Sequence, residues 1–132
     1  MAIDVTDATF DEQVILASAQ QPVVVDLWAE WCGPCRTLGP IIEKVVDATD
    51  GKVVLAKVDI DANPGISKAF QVQSIPAVYA LRDGQVVDGF VGAYPEHEVQ
   101  RFVDGLLPTA EQDEVAQLLA AGDEASLRTV LE

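Results

Sequence analysis

The sequence predicts an α/β domain built on a mixed sheet with helices on both faces. Three observations point to it. Two strongly apolar strand candidates, 23–28 and 53–58, are each followed by a helical pattern, the mark of βαβ-like units. Two further strand candidates, 77–81 and 85–91, then flank Arg82-Asp83-Gly84. An Asp-Gly pair between apolar runs is a hairpin signal, and a hairpin makes the sheet mixed rather than parallel. At 132 residues, nearly half of them apolar, the chain is one domain's worth and long enough to bury a proper core.

In chain order, Ile3-Asp4-Val5 is a brief strand candidate. Thr9-Phe10-Asp11-Glu12 has the form of a capping box, so a helix is expected to begin there with Phe10, Val14 and Ala17 on one face. Gln20-Gln21-Pro22 ends it. Residues 23–28 then read as a strand buried on both faces, since nothing in Val23-Val24-Val25 alternates. After Pro34, Leu38, Ile41, Ile42, Val45 and Val46 recur at helical spacing. Pro40 falls inside that pattern, which leaves either one helix running through a proline or two short ones. Asp50-Gly51-Lys52 turns the chain into the strand 53–58. Asn63-Pro64 reads as an N-cap with proline at the first helical position, opening a helix to about Phe70. Pro95 opens a last helix whose apolar stripe is Val99, Phe102, Val103, Leu106 and Leu107. His97 falls on its polar side and is assigned no role.

The chemistry concentrates in residues 26–36. This stretch holds both cysteines of the chain and both tryptophans. Cys32 and Cys35 lie where a buried strand gives way to a helix. The opening turn of a helix carries partial positive charge and unpaired N–H groups, which favour thiolate over thiol. The thiolate is the attacking species in disulfide exchange. These residues predict a thiol–disulfide exchanger with Cys32 as nucleophile and Cys35 as resolving thiol. Asp26 and Lys57 are charges lodged in apolar strands, and each is costly there unless paired, neutralised or used. For Asp26 the plain alternative is a side chain turned to solvent at a strand edge.

Trp31-Cys32-Gly33-Pro34-Cys35 closely resembles the active-site motif of the thioredoxin family, and Asp26, Trp28, Pro40, Lys57, Ile75-Pro76, Gly84 and Gly92 fall at further family positions. The similarity runs from about residue 3 to 107. It implies a thioredoxin-like fold, with a central five-stranded mixed sheet, over residues 1–107. It also implies a kinked helix at Pro40 and places Asp26 beneath the cysteines with Lys57 near it, so an Asp26–Lys57 pair is the expected account of both charges. Burial there would raise the Asp26 pKa and make it a proton acceptor when Cys35 attacks. The resemblance makes Ile75-Pro76 a cis proline packed against the cysteine pair, an isomer the residues alone leave open. Trp31, Gly33, Pro34, Ile75, Pro76, Gly92 and Ala93 would form a flat apolar docking face for an extended substrate backbone. Trp28 is read as packing beneath the motif. The Gly-Pro dipeptide matches reducing members of the family, which implies a protein-disulfide reductase recharged by a flavin-dependent thioredoxin reductase drawing on NADPH. No bound cofactor is implied beyond the redox-active Cys32–Cys35 pair. Departures are small: Ala77 follows the proline where threonine is usual, Ser74 replaces a common glycine, and Arg36 a common lysine.

Bulk properties exclude several other classes. Zinc would need more ligands than two cysteines and one histidine, so no metal is expected. A net charge of −14 argues against nucleic acid, because counterion release needs Lys and Arg on the phosphates. No apolar run approaches the ~20 residues of a membrane span, and the first residues lack the basic and apolar regions of a signal peptide. A monomer in the cytoplasm, acting on disulfide-containing proteins, is the expectation.

Residues 108–132 remain. Pro108-Thr109-Ala110-Glu111-Gln112 has a capping-box form, followed by Val115, Leu118 and Leu119, a stop at Gly122, and Leu127, Val130 and Leu131 after Asp123. They predict a short acidic helical hairpin that cannot bury its apolar face alone. It resembles the opening of the tetratricopeptide repeats that follow a thioredoxin domain in bacterial co-chaperones. The alternative function is therefore a redox-linked co-chaperone that holds unfolded or oxidised clients. The plainest alternative is an extension that covers an apolar patch.

Overall fold

A computed structural model of the chain describes residues 2–107. The element order is β1 (Ala2–Asp4), an irregular helical segment (Asp11–Leu16, then Ala17–Ala19), β2 (Val23–Trp28), α1 (Gly33–Asp47), β3 (Val54–Asp59), α2 (Pro64–Ala69), β4 (Ala77–Arg82), β5 (Gln85–Val91) and α3 (Glu96–Asp104). One five-stranded sheet runs β1-β3-β2-β4-β5. The pairs β1–β3 and β3–β2 are parallel, and β2–β4 and β4–β5 antiparallel. The mixed sheet predicted above is thus the observed one. The predicted hairpin at residues 108–132 lies outside the described residues.

β2 does not alternate because both of its faces are covered. Val24 packs into a core with Leu38, Ile42 and Val45 of α1 and Val99, Phe102 and Val103 of α3. Val23, Val25 and Leu27 point the other way, into a core shared with Val14 and with Ile66 of α2. By the two-residue period of a strand, Asp26 shares the α1 face with Val24. The site at the end of β2 therefore stands on a central strand buried almost throughout.

Two local expectations change. The capping box at Thr9 does not form: Thr9 Oγ1 instead accepts from the Thr6 N–H at 3.0 Å, and Phe10 stands at the N-cap without a side-chain cap. The segment that follows is π-helical over Asp11–Leu16 and tightens to a 3₁₀ turn over Ala17–Ala19. The second change is at Asn63, which stands at the N-cap of α2 before Pro64 as expected but gives the helix no side-chain cap. Its amide is occupied with the Asp59 carbonyl and the Asp7 N–H. The free N–H groups of α2 are met by Asp7 from far along the chain, at 3.0 Å to Gly65 and 2.8 Å to Ile66. Ser18, on which the sequence offered no expectation, is fully buried and pins the β4–β5 turn: its Oγ accepts from Gly84 N–H at 2.7 Å and its carbonyl from Asp83 N–H at 2.9 Å. That turn has positive φ at both Asp83 and Gly84, the type I′ geometry that suits the twist of a hairpin. α1 continues as one helix through Pro40.

Candidate active site

The site stands where β2 ends and α1 begins. Cys32 is the N-cap of α1, with extended backbone (φ −89°, ψ 104°), and Gly33 and Pro34 open the helix. Proline fits there because the first helical N–H has no intrahelical partner to lose. Cys32 Sγ accepts from the Cys35 N–H at 3.2 Å, so the sulfur occupies the place a capping oxygen takes in other helices. The two cysteines are joined as a disulfide, with Cα atoms 5.3 Å apart. Both are buried, at 3% and 6% exposure, so accessibility does not tell them apart. Their surroundings do. Cys35 lines the cleft below the motif, together with Asp26.

That cleft is a cavity of about 480 Å³ between β2, β3 and α1, lined by Asp26, Trp28, Cys35, Glu43 and Lys57 among others. Asp26 is 2% exposed, which excludes the solvent-facing alternative. Burial raises its pKa from 3.8 to about 6; the Lys57 charge lowers it and the Glu43 charge raises it. Lys57 stands directly opposite Asp26 in the β2–β3 ladder. Its ion pair, however, is with Glu43, at 3.3 Å from Nζ to Oε1, and its Nζ lies 5.7 Å from the Trp28 ring centroid. Lys57 is thus the ladder neighbour of Asp26 and acts on it as a nearby charge, while the direct contact belongs to a residue that sequence reasoning missed. The signal was present: Cys35, Gly39 and Glu43 follow at four-residue spacing on one face of α1.

Above the cleft, Trp31 is 67% exposed and is held by a 2.8 Å bond from Nε1 to Asp61 Oδ2. Asp61 was not singled out from the sequence. Its location could have been read from β3, which runs parallel to β2 and delivers its end beside Trp28. Trp28 packs with Ala29 and the two cysteines, as does Ile75. The Ile75–Pro76 bond is cis. Gly92, at φ +104°, donates its N–H to the Pro76 carbonyl at 2.8 Å and so ties the second loop to the first. Gly33, Pro34 and Ala93 are exposed. Arg36 closes the loop before α1 from the other side, donating to the Glu30 carbonyl at 2.6 Å. Among the described residues, no helix is long and apolar enough to cross a membrane, and no three His, Cys, Asp or Glu side chains gather where they could hold a metal.

Comparison with known proteins agrees with this geometry. The thioredoxin family model matches residues 1–105. Thioredoxin of Chlorobaculum thiosulfatiphilum is 39% identical over 101 residues, covering 76% of this chain and 92% of its own. Mitochondrial thioredoxin of Bos taurus is 45% identical over 98 residues, covering 74% of this chain and 58% of its own. A bifunctional thioredoxin reductase/thioredoxin of Mycobacterium leprae is 38% identical over 108 residues, covering 82% of this chain and 23% of its own. The co-chaperone alternative rested on residues 108–132, outside both the family match and the described residues, and nothing here supports it. With a helix-capping cysteine pair that closes to a disulfide and this match over most of its length, the chain belongs to the thioredoxin family and is a thiol–disulfide oxidoreductase.

Proposed function

We propose that the chain reduces protein disulfides in two exchanges, with Cys32 as nucleophile, Cys35 as resolving thiol and Asp26 as the proton acceptor between them. In the first, the Cys32 thiolate attacks one sulfur of a partner disulfide. That S–S bond breaks, the partner's other sulfur leaves and is protonated, and a mixed disulfide forms. In the second, Cys35 gives its proton to Asp26 and attacks Cys32 Sγ, releasing the partner's remaining thiol. The electron pair of the dithiol has passed to the partner, and Cys32–Cys35 is left oxidised.

The observation that carries this reading is the Cys35 N–H on Cys32 Sγ at the opening of α1. Once the disulfide is reduced, that N–H and the helix end favour negative charge on Cys32. Asp26 supports the second exchange, because a carboxyl with a pKa near 6 is ionised at neutral pH yet basic enough to take a thiol proton. Lys57 moderates that basicity. The partner backbone would lie along Trp31, Gly33, Pro34 and Ala93, which are exposed, and along Ile75 and Gly92, which are half-buried, with Pro76 buried beneath them beside the sulfurs. A reductase of the kind fused to the Mycobacterium leprae relative would return the pair to the dithiol. A reducing compartment such as the cytoplasm suits this cycle, since it keeps the pair ready to donate.

Trapping tests the order of attack. Cys32→Ser abolishes reduction of a protein disulfide such as that of insulin. Cys35→Ser stops after the first exchange and accumulates a mixed disulfide through Cys32, seen by mass spectrometry. A mixed disulfide through Cys35 in Cys32→Ser, with none in Cys35→Ser, would reverse the roles.

A further inference from the structure

Glu43 lies outside the cysteine motif, yet it is the residue that holds Lys57. The Cys35–Gly39–Glu43 face of α1 closes the cleft over Asp26. The Lys57 ammonium lies against that face. Its Nζ is 3.3 Å from Glu43 Oε1, and a Cβ built on Gly39 would stand 3.8 Å from it, in ordinary contact, so the ammonium packs directly on this face of the helix. Lys57 is three-quarters buried and Glu43 is more exposed, which puts the pair at the mouth of the cleft rather than at its floor. Asp26 is at the floor, opposite Lys57 in the ladder.

We propose that Glu43 is a positioning residue: by holding the Lys57 ammonium at the cleft mouth, it keeps that charge from closing directly on the Asp26 carboxyl. The inference rests on the reading of Asp26 as the proton acceptor for Cys35.

A buried carboxyl feels neighbouring charges strongly because little water screens them. Around Asp26 these are Lys57 from β3, Arg36 and Glu43 from α1, and Glu30 from the loop after β2; Cys35, uncharged in the disulfide, also lines the cleft, and β4 sets apolar Val78 opposite Asp26. Lys57 and Glu43 act on Asp26 with opposite signs. Neutralising Glu43 would remove one negative charge and release Lys57 toward the floor. Both changes favour the carboxylate. A more acidic Asp26 is a weaker base toward the Cys35 thiol, so Glu43 preserves the acceptor's strength.

The test follows the Asp26 carboxyl by NMR against pH in the oxidised full chain, for wild type, Glu43→Gln, Lys57→Met and the double variant. Glu43→Gln is expected to move the Asp26 midpoint to lower pH. The same substitution in the Lys57→Met background is expected to move it less, because Lys57 is then absent, and Glu43→Asp to restore part of the wild-type value. An unmoved midpoint in folded Glu43→Gln overturns the proposal. So does an equal shift in both backgrounds, since Glu43 would then act on Asp26 without Lys57. The pH profile of the second exchange, measured in single turnover, separates this inference from the reading beneath it. If the Asp26 midpoint moves more with Lys57 present than without it and the acid limb of the profile does not move, Glu43 does hold Lys57 and Asp26 is not the acceptor.

Discussion

Asp26 and Lys57 stand opposite each other in the β2–β3 ladder, but Asp26 is buried at the cleft floor while Lys57 reaches the cleft mouth and bonds Glu43. Asp26 is therefore a buried acid without a direct ion pair to Lys57, and the fold bears the cost of ionising it. Its pKa is about 6 folded against 3.8 as the reference for the unfolded chain. The folded state then binds more protons than the unfolded one between those values, so stability falls as pH rises from about 4 to 6 and stays reduced above. A shift of this size corresponds to about 3 kcal/mol as an upper figure.

Asp26→Asn is accordingly expected to raise stability at pH 7 by about 2–3 kcal/mol. The gain should shrink below pH 6 and vanish near pH 4. Urea unfolding of both proteins across that range measures it. The same variant should slow the second exchange, which places stability and catalysis in opposition at one residue.

The bond from Trp31 to Asp61 predicts an effect on recognition rather than on chemistry. Asp61→Ala releases an indole that is 67% exposed. The lost hydrogen bond is worth about 1 kcal/mol, so KM for a protein disulfide should rise about fivefold with kcat little changed. Steady-state reduction of a protein substrate, compared with that of a small-molecule disulfide, tests this. The small substrate should show no such rise.

Asp7 predicts a purely structural effect. Its carboxylate supplies the cap that Asn63 was expected to supply, accepting from Gly65 and Ile66. Asp7→Ala should destabilise the fold by about 1–2 kcal/mol. Disulfide reduction by the folded variant should be unchanged. Denaturant unfolding and an activity assay on the same preparation check both halves.

What the sequence made legible follows from the range of the interactions. Cys32, Pro34 and Cys35 are readable because a helix start is a local event, set within a few residues. The hairpin at Asp83-Gly84 was readable for the same reason. Asp26 and Lys57 stood out because a charge in an apolar strand contradicts its surroundings. Glu43 and Asp61 did not, since an acid on a helix or in a loop is unremarkable until the fold brings Lys57 or Trp31 to it. The caps failed similarly: Thr9 and Asn63 carry the right side chains, but Thr6 and Asp7 compete for them, and Asp7 reaches Gly65 only through the tertiary fold. Ser18 gave no warning, because a small polar residue shows its burial only once the β4–β5 turn docks on it.

The central claim is that the place of Cys32 at the head of α1 makes its sulfur anionic when reduced. Titrating the thiolate of the reduced chain by ultraviolet absorbance, with Cys35→Ser to assign the signal, tests this most directly. The account predicts a Cys32 midpoint clearly below the ~8.5 of a free cysteine. A midpoint at or above that value would contradict it.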